Sequence, residues 1–208
     1  MPSIREWTEA HFKFSGYVLP FDPATLRDRL ALRIELGHHP DATLIVAAVG
    51  GSAVGVHLLR RIAAAFGVLR SSMPDVELLM VCGPRIDPAE FAGLPGVQAV
   101  GYVHDLSRTL ACCDLAVVQG GLSTTMELVA NRRPFIYMPL RNHFEQNVHV
   151  AHRLRRYGAP PPTDYDEATP ERLAAQMAER LHNRVRYLPV EPKAAARAAG
   201  FIAPLLHR

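Results

Sequence analysis

At 208 residues, 49% of them hydrophobic, the chain has the length and apolar content for one large buried core, so it is globular. A formal charge of +3 is too small to imply nucleic acid by itself. The three cysteines, Cys82, Cys112 and Cys113, are odd in number and include an adjacent pair badly placed to bridge; no disulfide framework is expected, and no Cys/His spacing resembles a zinc site.

The start, MPSIREWTEAHFKF, lacks the basic, apolar and small-residue succession of a secretory signal, and no run of eighteen apolar residues appears anywhere. The cytoplasm is therefore the expected compartment. Residues 1–40 read as a linker, GYVLPFDP, running into a packed helix with the charged pattern ATLRDRLALRIELG. Thr43 to Val49, TLIVAAV, is short, wholly apolar and ends in glycines, as a strand buried on both faces would be. After GGSAVG, Val56, Leu59, Ile62, Ala63, Phe66 and Leu69 recur at helical spacing. The alternation continues with VELLMVCG and VQAVGYV as strands, DLSRTLACC as a short helix and DLAVVQ as a strand. STTMELVANRR then reads as a helix, PFIYMPL as a strand and FEQNVHVAHRLRRYGA as a helix. Strands alternating with helices over short loops predict a doubly wound, Rossmann-like parallel α/β sheet across residues 41–190, with ligands at the carboxyl ends of its strands. TPERLAAQMAERLHN is a helix capped by Thr169 with Pro170 at its first position, and residues 191–208 form a last, Ala-rich helix.

Two glycine turns stand out. Gly51 and Ser52 follow one strand and Gln119, Gly120 and Gly121 follow another, so each turn presents backbone N–H groups at the ligand edge, which suits a phosphate. A pair of such turns on one sheet suggests a diphosphate held between them. The hydroxyls of Ser52, Ser123, Thr124 and Thr125 add donors, although Ser123 could equally cap the helix that starts there. Glu127 lies about one turn into that helix, where it would repel phosphates unless it faces hydrogen-bond donors such as paired ribose hydroxyls; complementing the helix dipole is the plainer alternative. Beyond the next strand, His143, Glu145, Gln146 and Asn147 mix donors and acceptors as a hexose ring requires, or simply form a polar loop. The basic run HVAHRLRRYG, with Arg153, Arg155 and Arg156, is either a solvated helix face or a surface for anionic lipid or an acidic substrate.

The pattern GG-x-ST-x-x-E, then P-x-x-x-x-P, then EQ resembles the donor-binding signature of GT-B glycosyltransferases. It is nearest the family-28 C-terminal domain and is similar to the UDP-glycosyltransferase signature, with GYV at Gly101 to Val103 in agreeing register. The resemblance implies a UDP-sugar donor, with Gly51 and Ser52 facing the diphosphate and the cleft, and backbone groups of Val103 on the uracil edge. Gly120, Gly121, Ser123 and Thr124 would lie near the phosphates, Glu127 on the ribose hydroxyls, and Glu145, Gln146 and Asn147 on the transferred sugar. Many glucosyltransferases carry His where this chain has Gln119, so leaving-group stabilisation would rest more on backbone dipoles with Arg141 or His143. The same resemblance implies no cofactor beyond the donor substrate and no divalent metal, because helix dipoles neutralise the diphosphate.

GT-B enzymes set two such domains across a cleft, and the amino-terminal one binds the acceptor and supplies the catalytic base. This chain resembles the carboxyl-terminal half, so the implied hexosyltransferase would catalyse little without an acceptor-binding domain or subunit, against which the last helix would pack. The acceptor and the transferred sugar are open, and a membrane-linked acceptor would make the protein peripheral to the membrane. Two other readings are open: a non-catalytic nucleotide-sugar-binding subunit, and a domain like that of UDP-N-acetylglucosamine 2-epimerases, which share the architecture although their active-site carboxylates and histidines are not recognisable here.

Overall fold

The structure, a computed structural model, describes residues 3–206, which divide into two compact units, one made of residues 3–22 and 190–206 and the other of Pro23–Pro189.

In the first unit, helix α1 (Ile4–His11) begins with a capping box. The Ser3 hydroxyl accepts from the Glu6 N–H at 3.2 Å, while the Glu6 carboxylate accepts from the Ser3 N–H at 2.7 Å. No residue of α1 is buried. The last helix, numbered α8 in chain order, spans Ala194–Ile202 and buries only Ala194. Arg197 ties it to the amino-terminal segment, with Nε donating to the Ser15 carbonyl at 2.9 Å and a guanidinium nitrogen 3.1 Å from the Glu191 carboxylate. Phe201, Ile202, Leu205 and Leu206 remain exposed.

The second unit is built on five strands: β1 (Thr43–Ala48), β2 (Val76–Val81), β3 (Val97–Val100), β4 (Leu115–Val118) and β5 (Phe135–Tyr137). They pair in the order β3-β2-β1-β4-β5, all parallel, with Ala48 level with both Val81 and Val118, and Val118 level with Tyr137. Apolar runs without alternation are what a sheet covered on both faces demands, and Ile45, Val46 and Ala47 are wholly buried. Helices α3 (Val56–Arg70) and α7 (Pro170–His182) pack on each other, sharing a core with β1, β2 and β4. Leu58 and Ala65 join Leu59, Ile62, Phe66 and Leu69 in that core, a wider stripe than a single helical face, because α3 is covered by α7 as well as by the sheet. Thr169 caps α7 by accepting from the Arg172 N–H at 3.3 Å, with Pro170 at the first helical position. All three cysteines are free and buried, and burial pushes the Cys113 thiol up to about 12, which leaves it inert.

Helix α2 (Arg29–Glu35) is fastened to the amino end of β4. Asp114, just ahead of that strand, accepts from the Leu44 N–H at 2.8 Å, from Arg33 at 2.5 Å and from Arg29. Arg33, its side chain only 7% exposed, also donates to the carbonyls of Cys112, Pro40 and Ala42 at 3.0, 3.0 and 2.9 Å. Burial alone would raise the Asp114 pKa, but the Leu44 N–H and the two guanidinium groups outweigh it and hold the carboxyl below its ordinary value. Helices α4 (Leu106–Cys112), α5 (Leu122–Ala130) and α6 (Ala151–Arg156) complete the unit, α6 being preceded by a π-helical turn over Glu145–Val150. The strand expected over VQAVGYV stops at Val100, before the GYV segment.

Candidate functional site

In a sheet of this order the connections from β1 and β4 leave on opposite sides, so a crevice opens where the carboxyl ends of these neighbouring strands diverge. Both glycine turns lie there. The Gly50 N–H donates to the Oε1 of Gln119 at 3.3 Å, which joins the loop after β1 to the loop after β4, and Gln119 itself is 6% exposed. A third loop, after β2, closes against the first: Gly83 has φ +79°, and a Cβ there would stand 3.0 Å from the Gly50 carbonyl oxygen. Gly120 has φ +97°, and any side chain would meet the Tyr137 ring at 3.2 Å. The N–H groups of Gly51, Ser52, Gly121, Ser123 and Thr124 have no hydrogen-bond partner among the described residues. This is a row of bare donors at a helix N-terminus and an adjoining turn.

The hydroxyls fall into different roles. Gly121, in extended backbone, is the N-cap of α5, so Ser123 lies inside the helix and does not cap it. Thr125 is fully buried, and its hydroxyl donates back to the carbonyls of Gly121 and Leu122 at 2.9 and 3.1 Å. It is therefore not the additional donor expected from the sequence, because a mid-helix threonine finds its own backbone first. Ser52 precedes a 3-10 turn, Ala53–Gly55, which separates its loop from α3, and makes no capping bond.

Glu127 is the sixth residue of α5, past the first turn where a carboxylate complements the dipole. Its carboxylate is half-buried and has neither hydrogen-bond nor ion-pair partner among the described residues. Burial raises its pKa, and no compensating charge opposes the shift. Val103 lies half-buried in the loop after β3, with both backbone polar groups unpaired among the described residues.

The polar loop after β5 is partly spent on itself. Gln146 Oε1 accepts from the Leu140 N–H at 2.9 Å, and Asn147 Nδ2 donates to the carbonyls of Leu140 and His143 at 2.8 and 2.9 Å. His143 Nδ1 accepts from the Gln146 N–H at 3.4 Å. The groups of this loop without a partner among the described residues are thus Gln146 Nε2, Asn147 Oδ1 and His143 Nε2, together with the exposed Glu145 carboxylate. A cavity of about 460 Å³ adjoins this edge, lined by His57, Leu58, Gln119, Met138, Arg141 and Tyr165 among others. Of the residues singled out from the sequence, Gln119 and Arg141 line it. His57 and Tyr165 are linked by a hydrogen bond from the tyrosine hydroxyl to the His57 carbonyl at 3.3 Å, and they carry no motif by which the sequence could flag them. Tyr165 lies beneath Arg61, whose guanidinium is 3.9 Å from the ring centroid, and near Arg141 at 5.7 Å.

An Asp-x-Asp triplet stands at Asp164 and Asp166. Asp164 accepts from the Asp166 N–H at 2.7 Å and Asp166 pairs with Arg141, and no group of three or more His, Cys, Asp or Glu among the described residues is placed to share an ion. No helix among the described residues is long and apolar enough to cross a membrane.

Residues 45–204 match the glycosyltransferase family 28 C-terminal domain. An uncharacterised glycosyltransferase of Methanopyrus kandleri is 28% identical over 195 residues, which cover 92% of this chain and 54% of that protein. The UDP-N-acetylglucosamine--N-acetylmuramyl-(pentapeptide) pyrophosphoryl-undecaprenol N-acetylglucosamine transferase of Methylobacterium radiotolerans is 37% identical over 86 residues, 41% of this chain and 23% of that one. Among solved structures, MurG of Acinetobacter baumannii superposes with a TM-score of 0.63 at 18% identity, over 93% of this chain and 57% of the other. That likeness shows the fold, one half of a GT-B arrangement. The matched segments take in about half, or less, of these relatives' own lengths.

Proposed function

From the premise that this chain belongs to the glycosyltransferase family 28 C-terminal domain family, we propose that the 41–190 domain is the donor half of a hexosyltransferase and holds a UDP-sugar at the carboxyl edge of β1 and β4. The observation that carries this reading is the junction of the two glycine turns through Gln119 and Gly50, which gathers the bare N–H groups of Gly51, Ser52, Gly121, Ser123 and Thr124 at one crevice. These groups would receive the diphosphate; as fixed dipoles they cost no reorganisation when negative charge grows on the leaving group. Glu127 supports the ribose role, because a desolvated carboxylate without a partner gains most from two hydroxyl donors. Val103 would meet the base edge through its unpaired backbone groups. Glu145, with the remaining groups of Gln146, Asn147 and His143, would meet the hexose or N-acetylhexosamine.

Transfer also needs an acceptor hydroxyl aligned with the anomeric carbon and a base to take its proton, roles assigned here to an acceptor-binding domain or subunit. Isothermal titration of this chain with UDP, UDP-N-acetylglucosamine, UDP-glucose, GDP and dTDP tests the proposal, with Glu127→Ala as the control. Uridine ligands should bind in the micromolar to low-millimolar range and lose affinity in the variant. Equal binding of all five, or affinity indifferent to Glu127, would falsify the assignment.

A further inference from the structure

We propose that a second, polar pocket, at the amino end of β5, binds a phosphate group through Arg180, Arg184 and Arg186. The pocket has a volume of about 240 Å³ and is lined by these three arginines with Asn183, Gly158 and Tyr187, against Pro134 and Phe135 where β5 begins. The glycine turns stand beyond the opposite ends of the strands, so this is not the donor crevice seen from another side. No carboxylate lines the pocket, and none of the three arginines forms an ion pair among the described residues.

Local structure accounts for only part of this charge. Arg180 falls in the last turn of α7, where a cation complements the helix dipole, but that end carries only about half an elementary charge. The neighbouring carboxylate, Glu179, accepts from the Asn183 side chain at 3.3 Å. Three guanidinium groups against one carboxylate and half a charge leave an excess of about 1.5 positive charges. The Nε–H of Arg180 is, in addition, buried without a hydrogen-bond partner among the described residues, a donor whose desolvation these residues leave uncompensated. The backbone N–H groups of Arg184, Val185 and Arg186 also have no partner among the described residues. Burial keeps the Tyr187 phenol neutral, with its hydroxyl donating to the Arg133 carbonyl at 3.2 Å, so it adds no opposing charge.

Planar guanidinium forks match phosphate oxygens in pairs, and three of them around a recess this size favour a compact polyvalent anion over a carboxylate. The approach is basic too. Arg153, Arg155 and Arg156 occupy the last turn of α6, which runs directly into Gly158 of the pocket wall. The basic run that stands out in the sequence therefore ends two residues ahead of the pocket wall, and positive charge on that segment would raise the local concentration of anions.

The phosphate can belong to a soluble compound or to a lipid headgroup. Amide-resolved NMR titration of the whole chain with inorganic phosphate and with glycerol 3-phosphate tests the first source, and flotation with vesicles of phosphatidylcholine with or without phosphatidic acid tests the second. Saturable shifts are expected at the amides of Gly158 and Arg184–Arg186, or phosphatidic-acid-dependent flotation. Either should weaken at least tenfold in Arg184→Gln/Arg186→Gln, two exposed positions that the fold does not need, and stay unchanged in the equally charged control Arg5→Gln/Arg27→Gln. Which arm responds identifies the source. Shifts confined to Gly51 and Gly121, no response in either arm, or equal loss in both double variants would overturn the proposal. Failure of the donor reading would show separately, as UDP leaving the Gly51 and Gly121 amides unmoved.

Discussion

Strand β4 has a carboxylate beyond each of its ends, and the two live in opposite circumstances. At the amino end Asp114 receives three donors, and its pKa is held down against burial. Past the carboxyl end Glu127 is half-buried with no donor among the described residues, and its pKa is raised. Burial of a charge is tolerated when hydrogen bonds answer it, and Asp114 is answered by the protein itself. Its region is complete as structure. The region of Glu127 lacks such donors among the described residues, and the ribose hydroxyls of the proposed donor would supply them.

The largest test of this contrast is Asp114→Ala. Removing the shared acceptor strands Arg33 among buried groups and should lower the unfolding free energy by about 3 kcal/mol, read by urea denaturation. A loss under about 1 kcal/mol would mean that the carbonyls alone satisfy Arg33. Glu127→Ala should do the reverse, leaving stability level or slightly higher while nucleotide affinity drops by about 1.5–3 kcal/mol, the usual worth of hydrogen bonds to a charged group. Should the variant unfold as easily as Asp114→Ala, the two carboxylates would be alike after all. Gly120→Ala forces a side chain into left-handed backbone against Tyr137 and should cost about 1–3 kcal/mol in thermal melts, with a parallel weakening of UDP binding.

Acid titration separates the carboxylates by sign. Asp114 has a folded pKa below its unfolded one, so its contribution is full above about pH 4 and fades as the pH falls through the folded value. Glu127 has a folded pKa above its unfolded one, so stability declines as the pH rises through the interval between them, starting at about pH 4.3. Glu127→Gln should abolish that decline and leave the acid limb of Asp114 intact. The smallest effect belongs to Ser123→Ala, within about 0.5 kcal/mol, because Gly121 rather than Ser123 caps α5.

The sheet was readable from sequence because a buried parallel strand depends only on local apolarity: TLIVAAV announces β1 with no knowledge of its neighbours. The glycine turns were readable because left-handed backbone at Gly120 restricts residue choice. Groups whose role depends on distant partners were not. Arg33 looks like any charged helix residue, and its burial follows from Asp114, 81 positions away. Gln146 and Asn147 advertise hydrogen bonds without saying whether a ligand or their own loop receives them. Helix α1 is a different case: Ser3 and Glu6 spell its capping box outright, but an eight-residue helix that buries nothing leaves little apolar pattern to notice.

The π-helical turn over Glu145–Val150 has a geometric consequence of its own. Val150 and Leu154 are both buried and hold the following helix in the core, so the surplus residue of the wide turn is taken up upstream of them. Deleting one residue between Glu145 and Val148 should restore ordinary α-winding and swing the preceding side chains by about 100° around the axis while that anchor stays in place. Chain length in this turn, independently of side-chain chemistry, therefore sets the bearing of the polar loop.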